Sequence, residues 1–254
     1  MRTADPIIPS VSHVRFFAPA ARAPGDHIIL PDDEAEHLIR VLRLAEGDRV
    51  RVFNGCGGEF ESIVEAADRS GVRVRVVAPC DAAPEPRIAV TLAQAVLKGD
   101  KMDGVVRDAV MIGVAAIQPI ITERTESSVA ALARGRRRER WERIAVSSAK
   151  QCGRAVVPLI LDPKPFAAED VNLPSPVFVL VEPSAGSGLS LGEAETPSTG
   201  RASVIVGPEG GWTSQELQAA ATVGRLITLG GRTLRADAMA LVTLAALFAR
   251  WREY

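Results

Sequence analysis

Continuous aliphatic runs alternate with helical patterns over the last two-thirds of the chain. Met102, Val105, Val106 and Ala109 recur at helical spacing, an arginine-rich segment follows, and the chain closes on a helix with apolar residues on one side. Fully apolar strands between helices are typical of a parallel sheet that is covered on both faces. The pattern therefore predicts an α/β domain. Its strands are expected at 88–92, 116–121, 177–181, 202–206 and 226–229, and its arginine-rich helix at 136–149.

The first third shows a different, two-residue period. Val72, Val74 and Val76 alternate with arginines, and two further short strands at 50–52 and 60–64 flank the glycine-rich turn 54–58. One helix is predicted over 33–44, with Leu38, Val41 and Leu42 on one face. Short alternating strands with glycine turns indicate a small β-barrel-like domain with one helix.

A proline-rich stretch separates the two patterns. Three prolines fall within residues 79–86, where they break helices and remove donors from a sheet. We therefore predict a linker near residue 84, with domains at 1–83 and 84–254. A second stretch, 184–200, is rich in Gly, Ser and Pro and is interpreted as a mobile loop.

Composition narrows the function classes. The 254 residues are 47% apolar and 24% charged, which is ample material for a globular core, and no run of about 18 apolar residues predicts a membrane span. Met1 to Ser10 lacks the long apolar segment of a signal peptide, so the expected location is the cytoplasm. Three scattered cysteines and three early histidines predict neither a disulfide framework nor a metal site. The net charge of −1 restricts any RNA binding to local patches.

Three of the predicted strands run into loops of unusual composition. The loops are Glu182 to Gly186, Gly207-Pro208-Glu209-Gly210-Gly211-Trp212, and Gly230-Gly231-Arg232-Thr233-Leu234-Arg235-Ala236-Asp237. Ligands of α/β sheets bind at the carboxyl ends of the strands, so these loops are the candidate site. The sequence Thr213-Ser214-Gln215-Glu216 matches a capping box and predicts the start of a helix.

A glycine-rich turn alone is weak evidence. It is equally compatible with a tight connection that binds nothing, or with phosphate binding at a helix N-terminus. The second loop is not followed by Lys-Ser/Thr, which argues against a nucleotide P-loop.

The ordered combination of motifs resembles a known family. Val-Gly-Pro-Glu-Gly-Gly-Trp precedes Leu-Gly-Gly-Arg-Thr-Leu-Arg-Ala-Asp-Ala by about twenty residues, and other segments match in the same order. Those segments are Arg15-Phe16-Phe17, His37 to Arg43, Lys98 to Met102, and Gln151 to Arg154. Together they resemble the 16S rRNA (uracil N3)-methyltransferases of the SPOUT superfamily over nearly the whole chain.

The resemblance implies a fold, a cofactor and partners. It implies a C-terminal SPOUT-type parallel-sheet domain with a deep trefoil knot, a smaller N-terminal PUA-like β-barrel domain that helps to hold RNA, and a homodimer. The implied cofactor is S-adenosyl-L-methionine and the implied substrate is 16S rRNA of the small ribosomal subunit. The cofactor-binding positions would be Val181, Glu182, Gly207, Pro208, Glu209, Gly210, Leu229, Gly230, Leu234, Arg235 and Ala236.

Two positions depart from the family pattern. Ala236-Asp237 stands where the family usually has Thr-Glu, which removes a hydroxyl and shortens a carboxylate side chain by one methylene. Lys150 stands where the family tends to have Glu.

Catalytic roles follow from the chemistry of uracil N3, which must lose its proton. An arginine stabilises the developing anion, and Arg235 is the candidate; Asp237 or Glu209 would accept the proton or bind polar groups of the cofactor. The alternatives are a loop-anchoring salt bridge for Arg235 and an N-cap of the final helix for Asp237.

The candidate RNA contacts are basic side chains in the matching segments. They are Arg15, His37, Arg40, Arg43, Lys98, Lys101 and Arg154. A run of arginines between 134 and 143 fits either phosphate contacts or a solvated face with internal ion pairs. Two other functions remain open: ribose 2′-O methylation by a member of the same superfamily, and a non-catalytic RNA-binding assembly factor.

Overall fold

The computed structural model describes residues 14–68, 71–167, 172–185 and 188–253. The segment Met1 to Ser10 and Gly186 of the first candidate loop lie outside these residues. The chain divides into two compact units: Met1–Ala83 with Lys150–Val156, and Pro84–Ala149 with Val157–Tyr254.

The first unit is built on a five-stranded sheet. Its elements are β1 (Arg15–Phe17), β2 (His27–Ile29), α1 (Asp32–Glu36), β3 (Arg49–Phe53), β4 (Glu59–Asp68) and β5 (Gly71–Pro79). The strand order is β1-β3-β4-β5-β2. The first pair, β1 with β3, is parallel, and the others are antiparallel.

The alternating valines of β5 explain which face of this sheet is buried. Val72, Val74 and Val76 are at most 1% exposed and pack with Phe16 and Leu38 into one apolar cluster. Successive side chains of a strand point to opposite faces, so the intervening arginines point away from that cluster. The three predicted strands of this unit are confirmed; β1 and β2, of three residues each, were missed because they are too short to show a period.

The predicted helix over 33–44 is wrong in its second half. After α1 the chain forms a π-helical turn over His37–Val41, in which the Leu42 N–H donates to the His37 carbonyl oxygen at 3.1 Å. This wider turn rotates the residues that follow, so Val41 is 65% exposed instead of sharing the buried face with Leu38.

The second unit is an α/β layer structure. Its elements are β6 (Ala89–Ala95), α2 (Lys101–Ile112), β7 (Ala116–Ile121), α3 (Val129–Arg134), α4 (Arg137–Cys152), β8 (Leu159–Ile160), β9 (Lys164–Pro165), β10 (Val177–Leu180), β11 (Leu189–Ser190), β12 (Arg201–Val206), α5 (Ser214–Val223), β13 (Arg225–Thr228) and α6 (Ala236–Arg250). The last residues of α4 group with the first unit.

The strands of the second unit form one sheet in the order β11-β13-β10-β12-β6-β7-β8, with β9 beside β7. Each of the pairings described is parallel. The predicted parallel α/β domain and its five strands are therefore confirmed. Because β10 is flanked by β12 and β13, the three candidate loops leave the sheet from adjacent strands.

Two local predictions in this unit have different outcomes. Thr213 caps α5: its side chain accepts from the Glu216 N–H, and Glu216 accepts in return from the Thr213 N–H, as the capping box predicts. The stretch 184–200 is more regular than a loop, because Leu189–Ser190 pairs with β13 and Leu191–Glu193 forms a 3₁₀ turn.

Among the described residues, no helix combines the length and the apolar character needed to span a membrane.

Candidate active site

A cavity of about 490 Å³ opens where the loops after β10, β12 and β13 meet. Its apolar walls come from Leu180, Val181, Val206, Leu234 and Met239, and its polar groups come from the loops between them. The full lining is Lys101, Leu180, Val181, Glu182, Val206, Gly207, Pro208, Glu209, Gly211, Trp212, Thr233, Leu234, Arg235, Ala236 and Met239. A mostly apolar concave site with a few convergent polar groups is the usual form of a small-molecule site.

Gly207 shapes this cavity through its contact with Trp212. A Cβ atom at position 207 would lie 2.7 Å from the indole ring, closer than real Cβ contacts. The indole Nε1 donates to the Leu180 carbonyl oxygen at 3.0 Å, and the ring packs on Phe166 with centroids 5.1 Å apart. The glycine therefore allows the tryptophan to bridge the ends of β12 and β10, in addition to lining the cavity.

Gly210 has a different neighbour. Its carbonyl oxygen accepts from Arg124 Nη1 at 2.7 Å, and a Cβ at this position would lie 3.2 Å from the Cβ of Arg124. The close approach that the glycine permits is thus to an arginine in the loop after β7. Gly210 is not part of the cavity lining.

Glu209 is held by two basic residues. Its carboxylate forms an ion pair with Lys101 and accepts from the Lys98 backbone N–H at 3.2 Å. Burial raises the pKa of Glu209, but the hydrogen bonds from Lys101 and Lys98 outweigh it and leave that pKa below its ordinary value. The carboxylate is therefore ionised at neutral pH and joins the loop after β12 to the loop after β6.

Arg235 and Asp237 form a bidentate pair at the rim of the cavity. Arg235 Nε and Nη2 donate to the two carboxylate oxygens at 3.1 and 2.7 Å. Burial raises the pKa of Asp237, but the hydrogen bonds from Arg235 and from the backbone N–H of Ala238 outweigh it, so the net pKa is below the ordinary value. The predicted salt bridge is present. The predicted N-cap is wrong, because the cap residue of α6 is Arg235 and Asp237 lies inside the first turn.

Most of the predicted cofactor positions converge on the cavity. Those that line it are Val181, Glu182, Gly207, Pro208, Glu209, Leu234, Arg235 and Ala236. Gly210, Leu229 and Gly230 do not line it. Leu180, Val206, Thr233 and Met239 also line the cavity and were not predicted from the sequence, and Lys101, predicted as an RNA contact, lines it too. Met239 lies one helical turn after Arg235, and that spacing is the signal that identifies it.

Two of the predicted RNA contacts are buried. Arg15 pairs with Glu59 at 2.7 Å and also donates to the carbonyl oxygens of Lys150 and Arg154; its side chain is 10% exposed. Arg154 itself is 4% exposed. Neither side chain is therefore presented at the surface, which argues against the predicted role of these two arginines as RNA contacts.

The remaining RNA candidates lie at the surface. Arg40 and Arg43 are exposed, Arg40 pairs with Glu36 at 2.5 Å, and half-buried His37 packs edge-on against Phe16. Lys98 and Lys101 are exposed and stand beside the cavity.

Among the described residues, some arginines between 134 and 143 form ion pairs and others do not. Arg136 pairs with Glu139, Arg138 with Glu142 and Asp162, and Arg140 with Asp103. The side chains of Arg134, Arg137 and Arg143 make no ion pair within the described part of the chain. The predicted internal ion pairs are therefore present, and phosphate contacts by the other arginines of this segment stay a prediction.

Family models match both units. Residues 84–248 match the RNA methyltransferase domain, and residues 30–77 match the RNA methyltransferase PUA domain. The first match covers more than half of the chain and contains every residue that lines the cavity.

Individual relatives agree with the family models. The ribosomal RNA small subunit methyltransferase E of Synechocystis sp. is 32% identical over 87% of this chain and 72% of its own length. That of Bacillus subtilis is 27% identical over 85% of this chain and 87% of its own length.

Two solved structures cover almost the whole chain. The ribosomal RNA small subunit methyltransferase E of Neisseria gonorrhoeae bound to S-adenosyl methionine is 31% identical, with a TM-score of 0.84 over 94% of this chain and 98% of that one. A methyltransferase from Legionella pneumophila in complex with the same cofactor is 27% identical, with a TM-score of 0.83 over the same shares.

Proposed function

The chain belongs to the RNA methyltransferase family that includes the ribosomal RNA small subunit methyltransferases E, and from this premise we propose that it methylates N3 of a uridine in 16S rRNA with S-adenosylmethionine. The observation that carries the proposal is the cavity at the ends of β10, β12 and β13, which lies within the matched domain. Since ribosomal subunits are the substrate, we place the enzyme in the cytoplasm.

The residues of the cavity fit this cofactor. A volume of about 490 Å³ is within the usual range for small-molecule sites. Leucine and valine side chains at 180, 181 and 234 offer apolar surface for a flat base, and Gly207 and Gly211 line the cavity beside them. Glu182 supplies negative charge for a positively charged ligand.

The cofactor, when bound, supplies a methyl group on a sulfonium centre. The protein therefore has to position uracil N3 in line with that group and to favour loss of the N3 proton.

Arg235 is the residue that we assign to the uracil anion. Its side chain is 71% exposed at the rim of the cavity, where an entering base can reach the guanidinium. A fixed cation close to the developing charge lowers the energy of the deprotonated base. Asp237 orients this guanidinium through two hydrogen bonds.

The two carboxylates near Arg235 are poor proton acceptors. The pKa values of Asp237 and Glu209 are both lowered, because each carboxylate is hydrogen-bonded to a basic side chain. We propose that Asp237 positions Arg235, that Glu209 holds the cofactor loop against Lys98 and Lys101, and that the N3 proton leaves to water.

Three finer features of the family belong to the same proposal. We propose that the parallel sheet ends in a deep trefoil knot. This is supported by the strand order, in which β13 follows β12 in the chain but lies on the opposite side of β10. We propose that the N-terminal unit is a PUA-like barrel that contributes to RNA binding. We also propose a homodimer, supported by apolar side chains left exposed on packed helices: Met111 of α2 is 38% exposed and Val242 of α6 is 46% exposed. Light scattering on the purified protein tests the last point.

One experiment tests the activity. Small subunits that lack the modification are incubated with methyl-labelled cofactor, and the RNA is digested and analysed by nucleoside mass spectrometry. The expected product is N3-methyluridine at one position. A ribose 2′-O-methylated nucleoside would identify the other activity of the superfamily, and cofactor binding without methyl transfer would identify a non-catalytic assembly factor.

A further inference from the structure

A second, smaller cavity lies in the same unit, between the loops after β6 and β7 and the start of α4. Its volume is about 100 Å³. Buried side chains of Leu97, Leu132 and Trp141 form its base, and polar residues form its rim. The rim residues are Lys98, Gly99, Glu126, Ser127 and Arg137. We call it the cation cavity, after the basic side chains of Lys98 and Arg137 that line it.

The charges of the cation cavity do not balance. Lys98 forms an ion pair with Glu126, and both side chains are more than half exposed. Arg137 is half-buried, and its guanidinium forms no ion pair with any residue that the structure describes. One positive charge therefore remains without a counter-charge in a concave site, which is the arrangement expected for an anion.

From these charges we propose that the cation cavity binds a phosphodiester group of the RNA substrate, an inference that rests on the function proposed above. A volume of about 100 Å³ corresponds to roughly three water molecules, which is enough for a phosphate group but not for a nucleoside. The guanidinium of Arg137 matches phosphate oxygens in a fork, and the Ser127 hydroxyl is a further donor.

The cation cavity lies close to the larger cavity of about 490 Å³, which we call the cofactor cavity, because Lys98 links the two. Lys98 lines the cation cavity, and its backbone N–H donates to Glu209 in the wall of the cofactor cavity. A phosphate bound there fixes a nucleotide that flanks the target, because contacts to the RNA backbone set register while leaving the bases free.

Glu126 gives the site a built-in competitor. Its carboxylate pairs with Lys98 in the free protein, so an incoming phosphate has to replace it. Removal of the carboxylate frees Lys98 and removes a like-charge repulsion, and RNA binding becomes stronger.

The first test compares two arginines of α4 that both lack an ion pair. Arg137→Gln and Arg143→Gln each remove one positive charge, but only Arg137 lines the cation cavity. RNA affinity is measured over a range of salt concentrations. For Arg137→Gln, we expect about tenfold weaker binding and a slope of log K against log salt that is lower by about 0.7 to 1, the change expected for one phosphate contact. Equal affinities and slopes for the two variants would overturn the proposal.

The second test removes a negative charge, the carboxylate of Glu126. Glu126→Gln is compared with Glu139→Gln, an exposed glutamate of α4 that lies outside the cavity. We expect about threefold tighter RNA binding for Glu126→Gln and no change for Glu139→Gln. Weaker binding for Glu126→Gln would contradict the assigned role of the carboxylate as a competitor.

Failure of this inference can be told apart from failure of the proposed function. Cofactor affinity and thermal unfolding are measured for every variant, and both are expected to match the wild type because these side chains lie outside the cofactor cavity. If the wild type does not methylate the subunit, the proposed function fails. If the wild type methylates it and Arg137→Gln binds RNA as Arg143→Gln does, the cation cavity alone fails.

A free anion is the other source of the same chemistry. Calorimetry with inorganic phosphate on the wild type and on Arg137→Gln separates the two. Phosphate binding that depends on Arg137, combined with an unchanged RNA salt slope, would identify a site for small anions and overturn the assignment to RNA.

Discussion

Arg235 combines three properties at the residue scale: it is exposed, it stands at the rim of the cofactor cavity, and it is oriented by Asp237. We expect Arg235→Ala to reduce single-turnover methylation of subunits at least tenfold, because the uracil anion loses its cation. The fold, followed by circular dichroism, is expected to be unchanged. Arg232→Ala is the matched control, since Arg232 is an exposed arginine of the same loop that does not line the cavity. Unchanged turnover in Arg235→Ala would rule out this role.

The lowered pKa of Asp237 determines how its contribution to stability depends on pH. Burial raises that pKa, but the hydrogen bonds from Arg235 and from the backbone outweigh it, so Asp237 stays ionised until the pH falls below the ordinary range of an aspartate. Its contribution to stability is therefore complete above its unfolded pKa and is lost as the pH falls through the lower folded value.

For catalysis, a carboxylate that is already ionised contributes no titration near neutrality. We expect the single-turnover rate to rise from pH 6 to pH 9, as more uracil loses its N3 proton, with no inflection from a carboxylate. Asp237→Asn is expected to lower this profile without changing its shape. An inflection between about pH 5 and 7 that disappears in Asp237→Asn or Glu209→Gln would identify that carboxylate as the base.

At the element scale, the loop after β12 depends on glycine for packing. In Gly207→Ala, the new methyl group would overlap the Trp212 indole, which also holds the end of β10 through the Leu180 carbonyl oxygen. We expect at least tenfold weaker cofactor binding by calorimetry. Gly231→Ala in the loop after β13 is the control, because its Cβ would meet no atom within 4 Å and it lies outside the cavity. Equal cofactor affinities for the two variants would contradict this account.

The same elements show how far local sequence patterns reach. The capping box at Thr213 and Glu216 was predictable, because both partners lie within four residues. The glycines of the loop after β12 were predicted to belong to a ligand site, but the groups that approach Gly207 and Gly210 most closely are Trp212 and Arg124, and Arg124 lies 86 positions from Gly210. A local sequence pattern cannot predict a contact between residues so far apart in the chain. The π-helical turn after α1 escaped prediction because the spacing of Leu38, Val41 and Leu42 was interpreted with the period of an α-helix.

At the scale of the whole molecule, the first unit includes a distant segment of the chain: residues 150–156, which cover the last turn of α4 and the residues after it. Residues 150–156 supply acceptors to donors that precede residue 84: the Gly57 N–H donates to the Ala155 carbonyl oxygen at 3.0 Å, and the Ala83 N–H donates to that of Gly153 at 3.0 Å. Composition could place the linker near residue 84, but it could not show this return of the chain, since contacts between distant segments leave no local signal.

A fragment that ends at residue 83 is therefore expected to fold poorly. Besides those two amides, the side chain of Arg15 would lose the carbonyl oxygens of Lys150 and Arg154, and Glu34 would lose its ion pair with Lys150 at 2.6 Å. Each buried polar group left without a partner costs about 1–3 kcal/mol, which is large against a total of about 5–15 kcal/mol for a domain.

We expect residues 1–83 alone to show no cooperative transition in urea, followed by circular dichroism. The same fragment joined through a flexible glycine-serine linker to 150–156 is expected to recover one, because the linker restores the acceptors as well as the chain. The control joins the same linker to a shuffled version of the seven residues, which keeps length and composition but not the register. Cooperative unfolding of residues 1–83 alone, at the midpoint of the joined fragment, would show that the carbonyl groups of 150–156 are not needed for this unit to fold.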